Sequence, residues 1–368
     1  MQMSQSRVFF NYEKRIRDKS SLDKVFDYFS SSKDEHGIKT MLPQDLLQAI
    51  VPTFPPSKSD TIRAGYLDGE RTQPAAPSAN SSEFFSNFDI DGDGVLAFNE
   101  FLLVLTLISI PKMDVHIIFD IMDADSSGYV DAREFDVIVK RLQDKANLQV
   151  NKYALGRQNR LLSDHVGGLM AAFFGLDLSQ KLSLAQFALF LDNLHLKLIK
   201  LEFEHYMPND DGCIPGIDFA RALVTAADMM AVDELLNKVD SLEGLLSHLD
   251  ISFPEFESIH HLVERIDPLV VALEFMDQVG RPVTKEELVK QAQRLTGVLL
   301  SDHVARVIIS VFGNADGHLN VPLFLGTLRR RGQMAAIRRG GSDQLPRSRV
   351  QRLFSCMQAC NADAVAPA

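Results

Sequence analysis

Asp89-Ile90-Asp91-Gly92-Asp93-Gly94-Val95-Leu96-Ala97-Phe98-Asn99-Glu100 and Asp123-Ala124-Asp125-Ser126-Ser127-Gly128-Tyr129-Val130-Asp131-Ala132-Arg133-Glu134 are two stretches cut to one pattern. Both place oxygen-bearing side chains at positions 1, 3, 5 and 12 and glycine at position 6. A hard cation that takes six to eight oxygen ligands in a tight turn needs this pattern, which is that of the EF-hand calcium loop. The ligand set is therefore Asp89, Asp91, Asp93, Val95 and Glu100 in the first loop, and Asp123, Asp125, Ser127, Tyr129 and Glu134 in the second. Val95 and Tyr129 stand at position 7, which gives only its backbone carbonyl. Asp131 at position 9 is able to hold a ligating water, and Ala97 is not, so the second loop reads as the better furnished. The spacing is that of two hands paired with each other.

The flanks agree. Phe84 and Phe88 precede the first loop, and Phe101, Val104 and Leu105 follow it at helical spacing. Phe119 and Met122 precede the second, with Phe135, Ile138 and Val139 behind it. In such a hand position 8 is aliphatic, because it pairs across the short sheet between two loops, and the residue after position 12 anchors a helix. Leu96 and Phe101, then Val130 and Phe135, fill these places. The same spacing recurs as Leu182 to Phe187, Ile214 to Phe219, Ile251 to Phe256 and Leu319 to Phe324, which implies six hands.

The four later loops have lost their ligands. Gly175 to Gln186 keeps Asp177; Met207 to Asp218 keeps Asn209, Asp211 and Gly212; Gly244 to Glu255 has Leu246 and His248 at ligand positions. Phe312 to Leu323 keeps Asn314, Asp316 and Gly317 but ends in leucine. All four read as structural hands closed without metal, with weak, distorted binding the alternative for the last.

Composition sets bounds around this centre. At 368 residues the chain has room for two or three cores, and 46% apolar with 24% charged residues describes an ordinary globular protein. A net charge of −11 argues against non-specific nucleic-acid binding, which needs a basic footprint. The most apolar stretch, Phe101 to Ile110, stops at Pro111, short of the ~20 residues that span a bilayer. Met1 to Arg7 resembles neither a secretory signal nor a transit peptide. Three cysteines do not make a disulfide framework. No nucleophile elbow, phosphate loop or dinucleotide fingerprint is present, so the chain reads as a non-enzyme. His248, His260 and His261 match no metal-cage spacing, although Glu257 and Glu264 fall one helical turn from the adjacent pair.

Along the chain, Tyr12 to Phe29 is basic and then apolar, and Pro43 opens a short helix through Leu46, Leu47 and Ile50. Arg71 to Ser82 is a polar stretch without periodicity, which marks a linker. Past Phe324 the chain turns basic, with Arg329, Arg330 and Arg331, then Arg338, Arg339, Arg347, Arg349 and Arg352. Such asymmetry points to a charged partner, a solvated face being the bland alternative.

Beyond the two loops, the residues resemble the mitochondrial calcium uptake proteins, the EF-hand gatekeepers of the mitochondrial calcium uniporter. The resemblance runs from Tyr12-Glu13-Lys14-Arg15-Ile16-Arg17 and Asp23 to Phe29, through Phe173 to Leu178, Lys181-Leu182 and Lys200 to Glu204, to Leu300-Ser301-Asp302-His303-Val304. It implies a predominantly all-α fold: a small leading α/β-type domain (1–70), a linker (71–82), and an N-lobe with two intact hands and one degenerate hand (83–195). A C-lobe of degenerate hands (196–331) and a basic trailing helix or tail (332–368) follow. It also implies calcium as the ligand and a place in the intermembrane space on the inner membrane, without a transmembrane segment. The implied partners are the uniporter pore subunit and a second family member, in a homo- or heterodimer. The implied role is to restrain uptake at low calcium and permit it when calcium binds. An intact loop at Asp89 matches the plant-type branch, which has an additional hand.

The family's basic, pore-facing surface maps onto Arg15, Arg17, Lys24, Arg329, Arg330 and Arg331, with Asp27 where the family tends to carry arginine. An intersubunit disulfide in the trailing region maps onto Cys356 and Cys360. The two share a helical face but are poorly aimed at each other, and a free thiol is the alternative. Beside the gatekeeper reading stand a soluble cytosolic calcium sensor or buffer and a calcium-regulated enzyme subunit.

Overall fold

The protein is described by a computed structural model covering residues 2–34, 37–54, 88, 94–110, 112–138, 140 and 168–335. The 71–82 linker, Asp89, Asp91, Asp93, Cys356 and Cys360 lie outside the described residues. So does the tail beyond 335.

Helices α1 (Gln2–Lys19), α2 (Leu22–Phe29) and α3 (Pro43–Ile50) open the chain, with a two-stranded hairpin, β1 (Ser32–Lys33) and β2 (Lys39–Thr40), between the last two. After the first loop comes α4 (Phe98–Ile108), a 3-10 turn at Lys112–Asp114 and α5 (Val115–Met122), which leads into the second loop and β3 (Tyr129–Val130). Residues 132–138 are helical. Then follow α6 (Gly168–Phe174), β4 (Leu182–Ser183) and the long α7 (Leu184–His205). The C-lobe runs through β5 (Cys213–Pro215), α8 (Gly216–Val224), α9 (Val232–Ser241), α10 (Glu243–Leu246), β6 (Asp250–Ser252) and α11 (Phe253–Glu264). It closes with α12 (Ile266–Gln278), α13 (Lys285–Thr296), α14 (Asp302–Phe312) and α15 (Val321–Ala335).

The anchors behave as the repeat predicts. Phe101, Phe135, Phe187, Phe219, Phe256 and Phe324, each just past position 12, are all buried. Each removes roughly 1.5–3 kcal/mol worth of apolar surface from water. The aliphatic position-8 residues are buried with them, and they meet where a sheet forms. Val130 stands opposite Leu182, and Ile214 opposite Ile251.

One expectation is corrected here. The two acidic loops do not pair with each other. The second pairs with the degenerate third through β3 and β4. The first pairs with the leading unit: Met41 and Leu96 exchange amide-to-carbonyl hydrogen bonds of 2.8 Å in both directions. Thirty-odd residues between motifs permit a pairing, but helix packing chooses which loop edges meet. A second partner was also missed. The last loop's Leu319 amide donates to Val283 at 2.9 Å, in the short turn between α12 and α13. The template of an aliphatic residue five before phenylalanine passes over Met41 and Val283, since Leu46 and Leu288 stand where phenylalanine is sought.

Two buried cores divide the chain. One gathers Val25, Phe26 and Phe29 of the leading unit with Phe101, Phe119, Phe135, Phe173 and Phe187. The leading helices are thus part of the N-lobe core. The other holds the C-lobe, and Phe10 of α1 and Phe54 reach into it, ring centroids 5.5 Å apart. Helix α7 crosses between them, with Leu198 and Leu201 in the first core and Ile199 and Phe203 in the second. Among the described residues no helix is long and apolar enough to cross a membrane.

Candidate metal centre

The second loop assembles its ligands from backbone geometry. Gly128 takes φ +81°, where any Cβ is strained, and its amide donates to Asp123 Oδ2 at 2.7 Å. The Ser127 amide donates to Asp123 Oδ1 (2.9 Å) and Asp125 Oδ1 (3.0 Å). Glu134, at the start of the next helix, reaches back across the loop. Its Oε1 accepts from the amides of Ala124 (2.9 Å) and Asp125 (3.3 Å), and Oε2 from that of Asp131 (3.0 Å). As a result Asp123, Asp125 and Glu134 each bring a carboxylate oxygen within 4.8 Å of the other two. The Ser127 hydroxyl donates to the Tyr129 carbonyl at 2.9 Å, which keeps both oxygens at the same loop. Hydrogen bonding to Ser127 holds the exposed Asp125 carboxyl below its ordinary range, so it is ionised at neutral pH.

Every donor in this set is a hard oxygen, three of them carboxylates, with no ring nitrogen or sulfur. That chemistry fits calcium, which supplies the positive charge that relieves the repulsion among the carboxylates. Asp131 has another task. Its Oδ1 accepts from the amides of Arg133 and Glu134, both at 2.9 Å, and so caps the outgoing helix.

Of the first loop, the described part follows the same plan. Gly94 at position 6 takes φ +78°. Glu100 is buried, and its Oε2 accepts from the position-9 amide of Ala97 at 2.7 Å, as Glu134 does from Asp131. Val95 is at position 7, ahead of the Leu96 bridge.

The degenerate loops close themselves. Ser183 donates to Gln186 Oε1 from its amide (2.9 Å) and hydroxyl (2.8 Å), so position 12 caps a helix. Asn209 Oδ1 accepts from Asp211 and Cys213, and Asn314 Oδ1 from Asp316 and His318, each filling its loop with a side-chain turn. Glu255 accepts from the Ser252 amide and hydroxyl. In the last loop the Lys238 ammonium donates to the Gly313 carbonyl at 2.6 Å.

The six cations assigned to a partner face separate into two groups. Arg15 and Lys24 are exposed. Arg329 pairs with Glu274 at 3.1 Å and Arg330 with Asp228, both about half exposed. Arg17 and Arg331 are turned inward, which corrects their assignment. Arg17 donates from Nε to the Gln48 carbonyl (2.6 Å) and from Nη2 to Glu13 (3.1 Å), and lies over the Phe29 ring at 4.8 Å. Arg331 donates to Glu202 (2.6 Å), to the Ala222 carbonyl (2.8 Å) and to His260 Nε2 (3.2 Å). Both arginines reach a buried acceptor through the same long stem that makes an arginine surface-going elsewhere. Nothing in charge spacing separates the two outcomes.

Burial alone pushes the Glu202 carboxyl up, but the Arg331 guanidinium and His260 together outweigh it and hold the group down at about 2. Burial, then the same guanidinium, lowers His260, so its imidazole is neutral and Nε2 accepts. His261 lies between Glu257 and Glu264, both at 3.4 Å, outside this network.

No family model matches the chain. Among curated proteins, a calcium uptake protein, mitochondrial, of Arabidopsis thaliana is 38% identical over 330 residues, 88% of this chain and 66% of that protein. Calcium uptake protein 1, mitochondrial, of Bos taurus is 27% identical over 339 residues, 88% of this chain and 70% of that protein. The chain thus spans about two thirds of the length of these relatives. Of solved structures, the apo form of the mitochondrial calcium uniporter protein MICU2 superposes with a TM-score of 0.59 at 22% identity, covering 94% of this chain and 98% of that one. EFHA2 in its calcium-binding state gives a TM-score of 0.57 at 21% identity, with 83% and 97% covered. The EF-hand fold is therefore shared along almost the whole chain. With the oxygen cage at Asp123, Asp125 and Glu134, the six anchored hands and the identity to the plant relative, the chain belongs to the calcium uptake protein family.

Proposed function

We propose that this protein is a calcium-sensing regulatory subunit of the mitochondrial calcium uniporter, acting from the intermembrane face of the inner membrane. The observation that carries the reading is the convergence of Asp123, Asp125 and Glu134 on one oxygen-lined loop, in a chain whose degenerate loops close themselves. A protein that merely buffered calcium has no need of so large a ligand-poor lobe. A regulator uses it to turn binding into a change of shape. Sensor hands bind at roughly 10⁻⁷–10⁻⁵ M, and moving a switch from one state to the other takes ~5.5 kcal/mol of differential binding. Two intact loops supply that more readily than one.

The deciding experiment removes the protein from its own mitochondria and measures the external calcium at which uptake begins. The threshold is expected to fall, and to be restored by the wild-type chain. A chain carrying Glu100→Gln and Glu134→Gln is expected to restrain uptake at every calcium level. An unchanged threshold in mitochondria lacking the protein overturns the reading.

The surface that meets the acidic pore mouth is, in this reading, built from Arg15, Lys24, Arg329 and Arg330, which keep exposure. Reversal of these four to glutamate, with the internal Arg17 and Arg331 left in place, is expected to abolish restraint at low calcium while calcium binding stays intact. Restraint that survives the reversal rules this face out. The dimer, and a Cys356 or Cys360 bridge within it, belong to the same proposal. A ladder shift on a non-reducing gel that disappears in the double serine variant is its check.

A further inference from the structure

We infer that α1 is a strut that carries the calcium state of the first loop into the C-lobe, whose own loops have lost their ligands. One end of the path is the Met41–Leu96 pairing, which stitches the first loop to the leading unit. Met41 leads directly into α3, and α3 is fastened to α1 by buried polar contacts. Arg17 Nε donates to the Gln48 carbonyl on α3, its guanidinium stacks on Phe29 of α2, and Glu13 neutralises it. The Arg17 and Glu13 side chains are 7% and 1% exposed.

The neighbouring face of the same helix is fastened to the C-lobe. Phe10 is fully buried in the C-lobe core. Lys14, 1% exposed, donates from Nζ to the Thr225 carbonyl at 3.0 Å. Thr225 is the residue after α8, so the ammonium sits at the negative end of that helix. Asn11 donates to both oxygens of Asp233 (2.9 and 3.1 Å), and Arg7 to Asn237 and Asp240, all on α9. Arg221 of α8 shares Asp240 and holds Asp218, which is position 12 of the fourth loop.

The geometry follows from helical spacing. Residues 7, 10, 11 and 14 form one stripe and 13 and 17 the next, on a rigid rod of ~27 Å. Displacing α3 from α1 takes the Gln48 carbonyl from Arg17, and displacing α8 takes the Thr225 carbonyl from Lys14, each a charge-assisted hydrogen bond lost in a buried site. Helices α3, α1, α8 and α9 are thereby coupled through α1. A change at the Leu96 edge on calcium binding reaches α8 and α9 without any ligand in the C-lobe.

This inference rests on the first loop being a calcium site, and the test separates the two. On the purified full chain, amide hydrogen exchange is followed with and without calcium, alongside calorimetry of calcium binding. In the wild type, calcium is expected to alter exchange across 216–241 as well as 94–110. Glu100→Gln, with the second loop intact, is expected to remove the 216–241 response. Lys14→Met is expected to remove it while calcium binding and the 94–110 response remain. Arg7→Ala with Asn11→Ala, which breaks only partly exposed contacts and leaves the core whole, is expected to at least halve it. Calcium heat without any 216–241 response, or a response that survives Glu100→Gln or the Arg7/Asn11 pair, overturns the strut alone. Absence of calcium heat overturns the sensor reading and the strut with it.

Discussion

Glu134→Gln is expected to weaken calcium binding at the second loop by about two orders of magnitude, which is ~2.7 kcal/mol. The change keeps the size of the side chain and leaves an oxygen to accept from the amide of Asp131. What it removes is one negative charge from a cage whose three carboxylates lie within 4.8 Å of one another. It also removes one of two oxygens able to face the cation together. Calorimetry on the purified chain should then retain the heat of the first loop and lose that of the second. Glu100→Gln should do the converse, and the double variant should give none. Asp131→Asn provides the contrast. Its Oδ1 caps a helix, an amide oxygen caps nearly as well, and affinity should change little. If Glu134→Gln binds like wild type, the cation site is not at this cage.

Arg331→Met should destabilise the C-lobe by about 3–5 kcal/mol, because it leaves the buried Glu202 carboxylate with only His260, 3.5 Å away, beside it. Glu202 and Arg331 are 4% and 9% exposed, so solvent screens the pair little. Adding Glu202→Gln should restore much of the loss, since both charges are then gone. Denaturant unfolding of the two single variants and the double closes the cycle. The pH dependence has a definite sign. Glu202 is held at about 2 in the folded chain, below its ordinary 4.5. The stability it contributes is present above the ordinary value and is lost as pH falls from there toward 2. The Arg331→Met chain should lack that acid-limb loss. A single variant as stable as wild type would show that the triad is a surface contact, and Arg331 would return to the candidate partner face.

Much of this architecture is written in local sequence. Six phenylalanines at one spacing are all buried, because a helix that leaves an EF-hand loop has one inward position there and an aromatic ring fills it. The convergence of Asp123, Asp125 and Glu134 was legible for the same reason: a twelve-residue turn fixes which positions point inward. The degenerate loops were equally legible, down to the Asn209 and Asn314 side chains that fill them.

The pairing of the loops and the duty of each cation were not legible. Val130 meets Leu182 and Leu96 meets Met41 because the helices behind them pack into the phenylalanine-rich core of the N-lobe. No spacing between motifs encodes that choice. Lys14, Arg17 and Arg331 look like surface cations in the sequence, and it takes the tertiary approach of Thr225, Gln48 and Glu202 to turn them inward. By itself the chain's order of residues determined where the loop oxygens stand and which loops lack them, because both are decided within a dozen neighbours. Only the folded molecule decided how a loop is joined to the rest, since burying a charge depends on partners tens to hundreds of residues away.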